Sequence, residues 1–186
     1  YRWTPSGQYF VFANGVLNTD TMQLLPHSEK YLTNNIFDVD FDPNAKCEEF
    51  KKCLDFSLGK DEQLTLQELC GYMLFPDCRH EKIGVLVGNG RNGKSLLLRA
   101  ISYALGESRV SHYNLAEMTD PKGLSIAKSM SCIANICYDS GNTIKVGQEA
   151  QFKTYCSGEP MKAKLLYKDH TETTAYPKSI IALNEL

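Results

Sequence analysis

The chain has 186 residues, of which 42% are hydrophobic and 23% are charged, and its formal net charge at pH 7 is −2. Together with ordinary glycine and proline usage, these values exclude collagen-like, disordered and low-complexity proteins, and no continuous apolar run approaches the roughly 18 residues that a membrane span needs. The negative charge also excludes a protein that is basic overall, so a contact with a polyanion is expected to be local.

The first 80 residues predict a small α+β unit. Alternating and apolar runs predict short strands over Tyr9–Phe12 and 36–41, and Asn14–Gly15 between the early runs predicts a tight hairpin turn. Apolar residues at helical spacing predict helices over 45–58 and 61–75. The polar stretch 77–81 then predicts a seam between two domains, 1–80 and 81–186.

The second part predicts alternating strands and helices. Apolar runs over 82–87, 131–138 and 178–184 are typical of strands buried in a parallel sheet, and a helix is predicted over Lys94–Leu105, ended by Gly106. This alternation predicts an α/β fold with a mostly parallel sheet, preceded by the small α+β unit.

A glycine-rich loop between the first of these strands and the helix has the spacing G-x-x-x-x-G-K-S. Glycines allow successive backbone N–H groups to surround a phosphate at the positive end of the following helix. Lys94 is expected to reach the β- and γ-phosphates, and the Ser95 hydroxyl is expected to bind Mg²⁺. The motif therefore predicts a site for a nucleoside triphosphate, formed by Gly88, Asn89, Gly90, Arg91, Asn92, Gly93, Lys94 and Ser95.

Polar side chains follow the two later strands. Asp139 ends the run 131–138 and is the candidate carboxylate for holding Mg²⁺ and orienting the attacking water. Many NTPases place a second acid beside this one, but residue 140 is serine, so either Asp139 serves both purposes or another acid, such as Glu149, comes near. Asn184 ends the last strand and is the candidate amide for bonding the attacking water.

These motifs in this order resemble superfamily 3 helicases, and the nearest branch is the phage and plasmid primase-helicases. The N-terminal segments resemble the linker domain that precedes the ATPase in that branch, so the resemblance covers nearly the whole chain. The segments that carry it are Asn14-Gly15-Val16-Leu17, Leu25-Pro26-His27-Ser28, Asp40-Phe41-Asp42-Pro43, the loop at 88–95, Asp139, the stretch 152–158 and Ile180-Ile181-Ala182-Leu183-Asn184-Glu185-Leu186.

The resemblance implies an AAA+-like P-loop NTPase that uses ATP and Mg²⁺. It implies catalytic roles for Lys94, for Asp139 as the Walker B acid and for Asn184 as the sensor, with Ser95 and Asp139 at the metal. It also implies a hexameric ring and a pore hairpin that grips single-stranded DNA without sequence preference, where a solvated lysine face is the alternative. The implied DNA-binding residues are Lys162, Lys164, Lys168 and His170.

The resemblance further implies an incomplete ATPase domain, with the arginine finger beyond Leu186 and a primase upstream of Tyr1. The chain alone is therefore expected to be a weak ATPase, because such a finger is worth about a thousandfold or more in turnover. The expected location is the cytoplasm of a bacterial cell, with the gene on a phage or plasmid. One cysteine pair alone, Cys132 and Cys137, has the C-x₂₋₄-C spacing of a zinc site, and no second pair at that spacing accompanies it, so zinc is not an expected partner. A membrane is not an expected partner either.

The sequence thus predicts the ATP-binding core of a replicative DNA helicase that couples hydrolysis to movement on single-stranded DNA. Two other functions stay open at this point. One is a small-molecule kinase, since a P-loop also serves phosphate acceptors. The other is a nucleotide-gated DNA-binding or assembly module without efficient hydrolysis, which the absence of an acid at residue 140 favours.

Overall fold

The computed structural model describes residues 8–31, 36–75, 77–89, 92–120, 124–129, 131–140, 147–163, 171–174 and 177–184. Within them, the chain is a mixed α/β protein with two four-stranded sheets and one two-stranded ladder. The predicted mixture of helices and strands around a parallel sheet is confirmed.

The N-terminal residues form a small, mostly antiparallel sheet in the order β3-β2-β1-β4. The last strand is shorter than the predicted run 36–41 and pairs in parallel with the first. Aromatic rings hold this sheet together: the Phe12 and Phe37 rings are stacked with centroids 5.2 Å apart. The strands are β1 (Tyr9–Phe12), β2 (Gly15–Asn18), β3 (Gln23–Leu25) and β4 (Ile36–Phe37).

The hairpin turn between β1 and β2 lies one residue earlier than the predicted Asn14–Gly15 pair. Phe12 pairs with Gly15, so residues 13 and 14 form the turn. The Asn14 side chain explains the shift, because its amide donates to the Phe41 carbonyl at 3.0 Å and accepts from the Phe41 N–H at 2.9 Å. A contact with a residue 27 positions away therefore determines the turn.

Two helices follow, close to their predicted positions: α1 (Glu48–Ser57) and α2 (Lys60–Met73). Both begin with acidic residues in the first turn, where the helix dipole favours negative charge. Among the residues described, none of the helices combines the length and the apolar character that crossing a bilayer requires.

The second sheet is parallel throughout its described strands and has the order β5-β10-β7-β6. The last strand in the sequence is thus inserted between β5 and β7. The remaining helices are α3 (Lys94–Leu105), α4 (Leu115–Met118), α5 (Leu124–Ser129) and α6 (Glu149–Ser157). The strands are β5 (Gly84–Val87), β6 (Val110–Ser111), β7 (Ala134–Cys137), β8 (Pro160–Ala163), β9 (Thr171–Thr174) and β10 (Lys178–Leu183).

One apolar core joins the parallel sheet to helices from both parts of the chain. Leu66 and Met73 of α2 pack in the same cluster as α3 and strands β7 and β10, whose members include Leu97, Leu98, Ile101, Ile136 and Ile180. This cluster crosses residue 80, and the division into domains 1–80 and 81–186 stays a prediction. Burial of this apolar cluster removes apolar surface from water, and that removal makes the main favourable contribution to the free energy of folding.

Arg109 connects the N-terminal sheet to the parallel sheet. Its guanidinium donates to the Ile36 carbonyl at 2.7 Å and stacks on the Phe37 ring, 4.5 Å from the centroid. Burial lowers the pKa of this arginine. The same residue accepts from the Ile133 N–H through its carbonyl, next to β7. A single residue thus bonds both sheets.

Lys178, the first residue of β10, is buried with only 3% of its surface exposed. Its ammonium donates to the Phe75 carbonyl and lies over the Tyr72 ring, 5.3 Å from the centroid. Burial lowers the pKa of Lys178 to about 8, because desolvation penalises the charged form. The Lys178 ammonium therefore bonds the segment after α2 to the start of β10, although burial deprives the ammonium of its hydration.

This burial predicts a pH-dependent free energy of unfolding. Between pH 8 and the ordinary lysine pKa, the unfolded chain binds more protons than the folded one, so stability rises with pH. We expect Lys178 to add about 1 kcal/mol between pH 7 and pH 9. The half-buried Cys70 and Cys156 thiols, whose pKa values are raised to about 11, act in the opposite direction from about pH 8.5 upward, so the contribution of Lys178 is the difference between the parent chain and a variant that lacks this lysine. Urea unfolding at pH 7, 8 and 9 measures it.

The Lys178→Met variant should lose this rise, whereas Lys153→Met, at an exposed position of α6, should keep it. Equal pH dependence in Lys178→Met and the parent chain would contradict the assignment of the effect to Lys178.

Candidate functional site

The glycine-rich loop joins the carboxyl end of β5 to the amino end of α3. Gly93 precedes the helix with φ of +83°, a left-handed conformation that favours glycine, and its carbonyl accepts the Leu97 N–H at 3.0 Å. The helix therefore begins at Lys94, and its free N–H groups face the loop. Gly90 and Arg91 lie outside the described residues.

The Lys94 ammonium is held by the loop itself. It donates to the Gly88 carbonyl and, at 3.0 Å, to the Asn92 side-chain oxygen. The Asn92 amide also lies against Gly88, where a Cβ would collide with it. The sequence motif predicted a phosphate contact for Asn92. It did not predict the hydrogen bond from Lys94 to the Asn92 side chain, because that bond depends on the fold of the loop.

The end of β10 lies between the loop and the predicted acid. The Leu183 carbonyl accepts the Gly88 N–H at 3.3 Å, and the Ala182 carbonyl accepts the Ser140 N–H at 3.0 Å. The next residue, Asn184, is exposed, as is Asp139. The carboxyl ends of three adjacent parallel strands thus bring the loop, Asp139 and Asn184 to one edge of the sheet, where α/β proteins bind ligands.

Ser140 has a structural contact at the position where many NTPases carry a second acid. It is only 6% exposed, and its hydroxyl accepts the Leu115 N–H at 3.3 Å, at the start of α4. The other candidate acid, Glu149, accepts the Gly147 N–H at 2.9 Å beside the start of α6. These contacts leave Asp139 as the exposed carboxylate that directly follows a central strand.

A neighbour of the loop comes from the N-terminal part of the chain and was not predicted. A Cβ added to Gly93 would lie 2.6 Å from the Ser57 hydroxyl oxygen, at the end of α1. That oxygen is buried and has no hydrogen-bond partner within the described residues. Nothing in the local sequence around Ser57 signals this contact, since it depends on how α1 packs against α3.

Of the predicted DNA-binding residues, Lys162 lies in β8, and the other three come between β8 and β9 in the sequence. These strands pair antiparallel, with Lys162 opposite Glu172 and Ala163 opposite Thr171. The backbone of Lys162 is therefore part of a ladder, whereas Lys164, Lys168 and His170 lie outside the described residues. Among the residues that the structure does describe, no group of three or more His, Cys, Asp or Glu side chains could hold a metal ion, and the exclusion of zinc stays a prediction.

Comparison with known families divides the chain in two. Residues 86–186, more than half of the chain, match the model described as "Family of unknown function (DUF5906)". The chain belongs to this family. The DUF5906 region contains nearly all of the parallel sheet, the glycine-rich loop, Asp139 and Asn184.

Residues 6–59, which precede the DUF5906 region, match the model described as "D5 N terminal like". This match supports a relationship with phage primase-helicases. It contains the N-terminal sheet and α1, and it ends two residues after Ser57. A comparison with curated proteins finds no match.

Among solved structures, the chain is similar to the apo A form of the NrS-1 C-terminal region. The TM-score is 0.56 and the sequence identity 14%, over 76% of this chain and 34% of that one. At this identity the similarity concerns the fold. The chain thus spans about a third of the length of the C-terminal region that it matches.

Proposed function

We propose that the chain is the ATP-binding core of a superfamily 3 replicative helicase in a phage or plasmid primase-helicase. The observation that carries this proposal is the meeting of the loop at 88–95, Asp139 and Asn184 at the carboxyl edge of three adjacent parallel strands. The D5 N-terminal-like match supports the phage and plasmid primase-helicases as the branch of superfamily 3 in this proposal. The parallel sheet and its helices would then form an AAA+-like P-loop NTPase domain.

The residues at this edge fit a nucleotide with Mg²⁺. The Lys94 ammonium is bonded to two neutral loop oxygens, so a phosphate anion, which is a stronger acceptor, can replace them as its partner. Ser95, in the first turn of α3, and Asp139 offer the hard oxygen ligands that Mg²⁺ prefers. When bound, Mg²⁺ neutralises charge that develops on the phosphates.

In ATP hydrolysis, different residues of the chain would bind the phosphates and activate the attacking water. Lys94 and the N–H groups at the start of α3 bind and orient the phosphates. Asp139 and Asn184 flank the loop, and they would hold the attacking water, with the Asp139 carboxylate as acceptor of its proton. Asn184 follows β10, which is bonded on both sides, so its backbone is well positioned for this purpose.

The proposed partner is single-stranded DNA, gripped by Lys162, Lys164, Lys168 and His170 in a homohexameric ring. The antiparallel β8–β9 ladder supports a hairpin at this place. Phosphate contacts from such side chains are independent of sequence and sensitive to salt. In a primase-helicase encoded by a phage or plasmid, the site of action would be the bacterial cytoplasm.

An ATPase assay with and without single-stranded DNA tests the proposal. Turnover that is weak in this chain by itself and that DNA stimulates is the expected result. Turnover that depends on a small phosphate acceptor would instead indicate a kinase.

A second candidate function is a nucleotide-gated DNA-binding or assembly module. The observation that favours it is the burial of Ser140 against α4, which leaves no acid at this position. Nucleotide binding without hydrolysis, with or without DNA, would support this candidate over the helicase.

The DNA contact is testable through the salt dependence of binding. Changing Lys164 and Lys168 together to alanine should weaken binding of a labelled single-stranded oligonucleotide almost equally for all sequences. Each lost phosphate contact should flatten the log–log salt slope by about 0.7. Fluorescence anisotropy across a salt series measures both effects.

The matched control changes Lys51 and Lys52, two exposed lysines of α1, to alanine and removes the same charge elsewhere. If the Lys164 and Lys168 double variant retains the parent's affinity and slope, the hairpin lysines are a solvated face.

A further inference from the structure

The contact between Ser57 and Gly93 joins the two family-matched regions at the glycine-rich loop. Ser57 lies within the D5 N-terminal-like match, and Gly93 lies within the DUF5906 region, directly before Lys94. The 2.6 Å that would separate a Gly93 Cβ from the Ser57 oxygen is shorter than real Cβ contacts allow. The Ser57 side chain therefore occupies the space that a side chain at residue 93 would need.

The Ser57 hydroxyl is a buried polar group with an unused bonding capacity. It can donate one hydrogen bond and accept two, yet it has no partner among the described residues. Buried polar atoms in proteins are nearly always hydrogen-bonded. Because this hydroxyl lies beside the glycine-rich loop, we infer that it bonds a loop atom when the loop adopts a different arrangement.

Helix α1 is well placed to transmit a change at this contact. Its residues Phe50 and Leu54, and Leu58 directly after it, pack against the apolar core that contains Leu97 and Ile101 of α3. The Leu58 N–H donates to the Leu54 carbonyl at 2.8 Å, which closes the last turn of α1 beside the loop. The end of α1 is thus held against the element that starts with Lys94.

We propose that Ser57 is a positioning residue through which the N-terminal region holds the phosphate loop and responds to nucleotide. This inference rests on the proposed nucleotide site. A triphosphate draws Lys94 away from the Gly88 carbonyl and the Asn92 side-chain oxygen, and the Ser57 hydroxyl then donates to a loop oxygen that Lys94 releases. Occupancy of the loop thereby orders the end of α1.

Hydrogen–deuterium exchange of the 186-residue chain, with and without Mg²⁺ and ATPγS, tests the coupling. In the parent chain, the nucleotide should protect residues 88–95 and also residues 54–59. In Ser57→Ala, protection of 88–95 should remain while protection of 54–59 is lost. Affinity for ATPγS should fall about three- to tenfold, the value of one net hydrogen bond.

Two further variants separate the hydroxyl from general effects on α1. Ser57→Thr retains a hydroxyl and should restore the protection of 54–59. Cys53→Ala, one turn earlier in α1, removes one side-chain heteroatom and should behave as the parent chain does.

Each failure points to a different proposal. Protection confined to 88–95 in the parent, or unchanged protection of 54–59 in Ser57→Ala, overturns the role of Ser57 and leaves the nucleotide site standing. A parent chain that binds no ATPγS overturns the proposed function and, with it, this inference.

Discussion

Replacing Lys94 by alanine should reduce the affinity for ATP by about 30- to 1,000-fold, which corresponds to about 2–4 kcal/mol. The substitution removes a positive charge and its hydrogen bonds from the phosphates at once. In the structure this ammonium bonds only to loop oxygens, Gly88 O and Asn92 Oδ1, as far as the described residues go. Isothermal titration calorimetry with Mg²⁺ and ATP measures the loss.

Arg99→Ala is the matched control, because it removes one positive charge from an exposed position of the same helix. It should bind ATP as tightly as the parent chain does. If Lys94→Ala retains the parent's affinity, the loop at 88–95 is not the phosphate site.

Replacing Asp139 by asparagine should leave ATP bound while hydrolysis falls by at least about a hundredfold, the usual contribution of a positioned acid or base. The amide keeps the size of the side chain but cannot accept the proton of the attacking water, and it is a weaker Mg²⁺ ligand. A phosphate-release assay gives the turnover. The dependence of ATP affinity on Mg²⁺ gives a second reading, which should weaken in Asp139→Asn.

Glu149→Gln distinguishes the two acids that the sequence left open. Its carboxylate accepts the Gly147 N–H beside α6, so the amide variant should hydrolyse ATP at the parent's rate. Equal turnover in Asp139→Asn and the parent, with a loss in Glu149→Gln, would transfer the catalytic role to Glu149.

Local patterns in the sequence were sufficient for the elements around the glycine-rich loop. Helix α3 begins and ends at the predicted residues, because a glycine at each end interrupts an otherwise continuous helical pattern. Strands β5 and β7 were also predicted, with shorter bounds in the structure, whereas the two-residue strand β6 after α3 was not. Each of these signals lies within a few residues of the element that it specifies.

The order of the strands could not be derived from such patterns. β10 follows β7 by some 40 residues, yet it is inserted between β7 and β5. This insertion places Asn184 between the loop and Asp139. Strand order depends on which surfaces the connecting helices cover, a non-local property, so the motifs predicted the residues of the site without their arrangement.

The contacts of three individual side chains also depend on the tertiary structure. Lys178 starts a predicted strand as any charged residue might, but the fold buries it beneath the segment after α2. Asn92 bonds Lys94 only once the loop closes. Ser57 reaches Gly93 because α1 packs against α3. The sequence by itself identified the residues that we propose to bind phosphate and metal; tertiary packing decided which groups surround them, since those contacts join residues far apart in the chain.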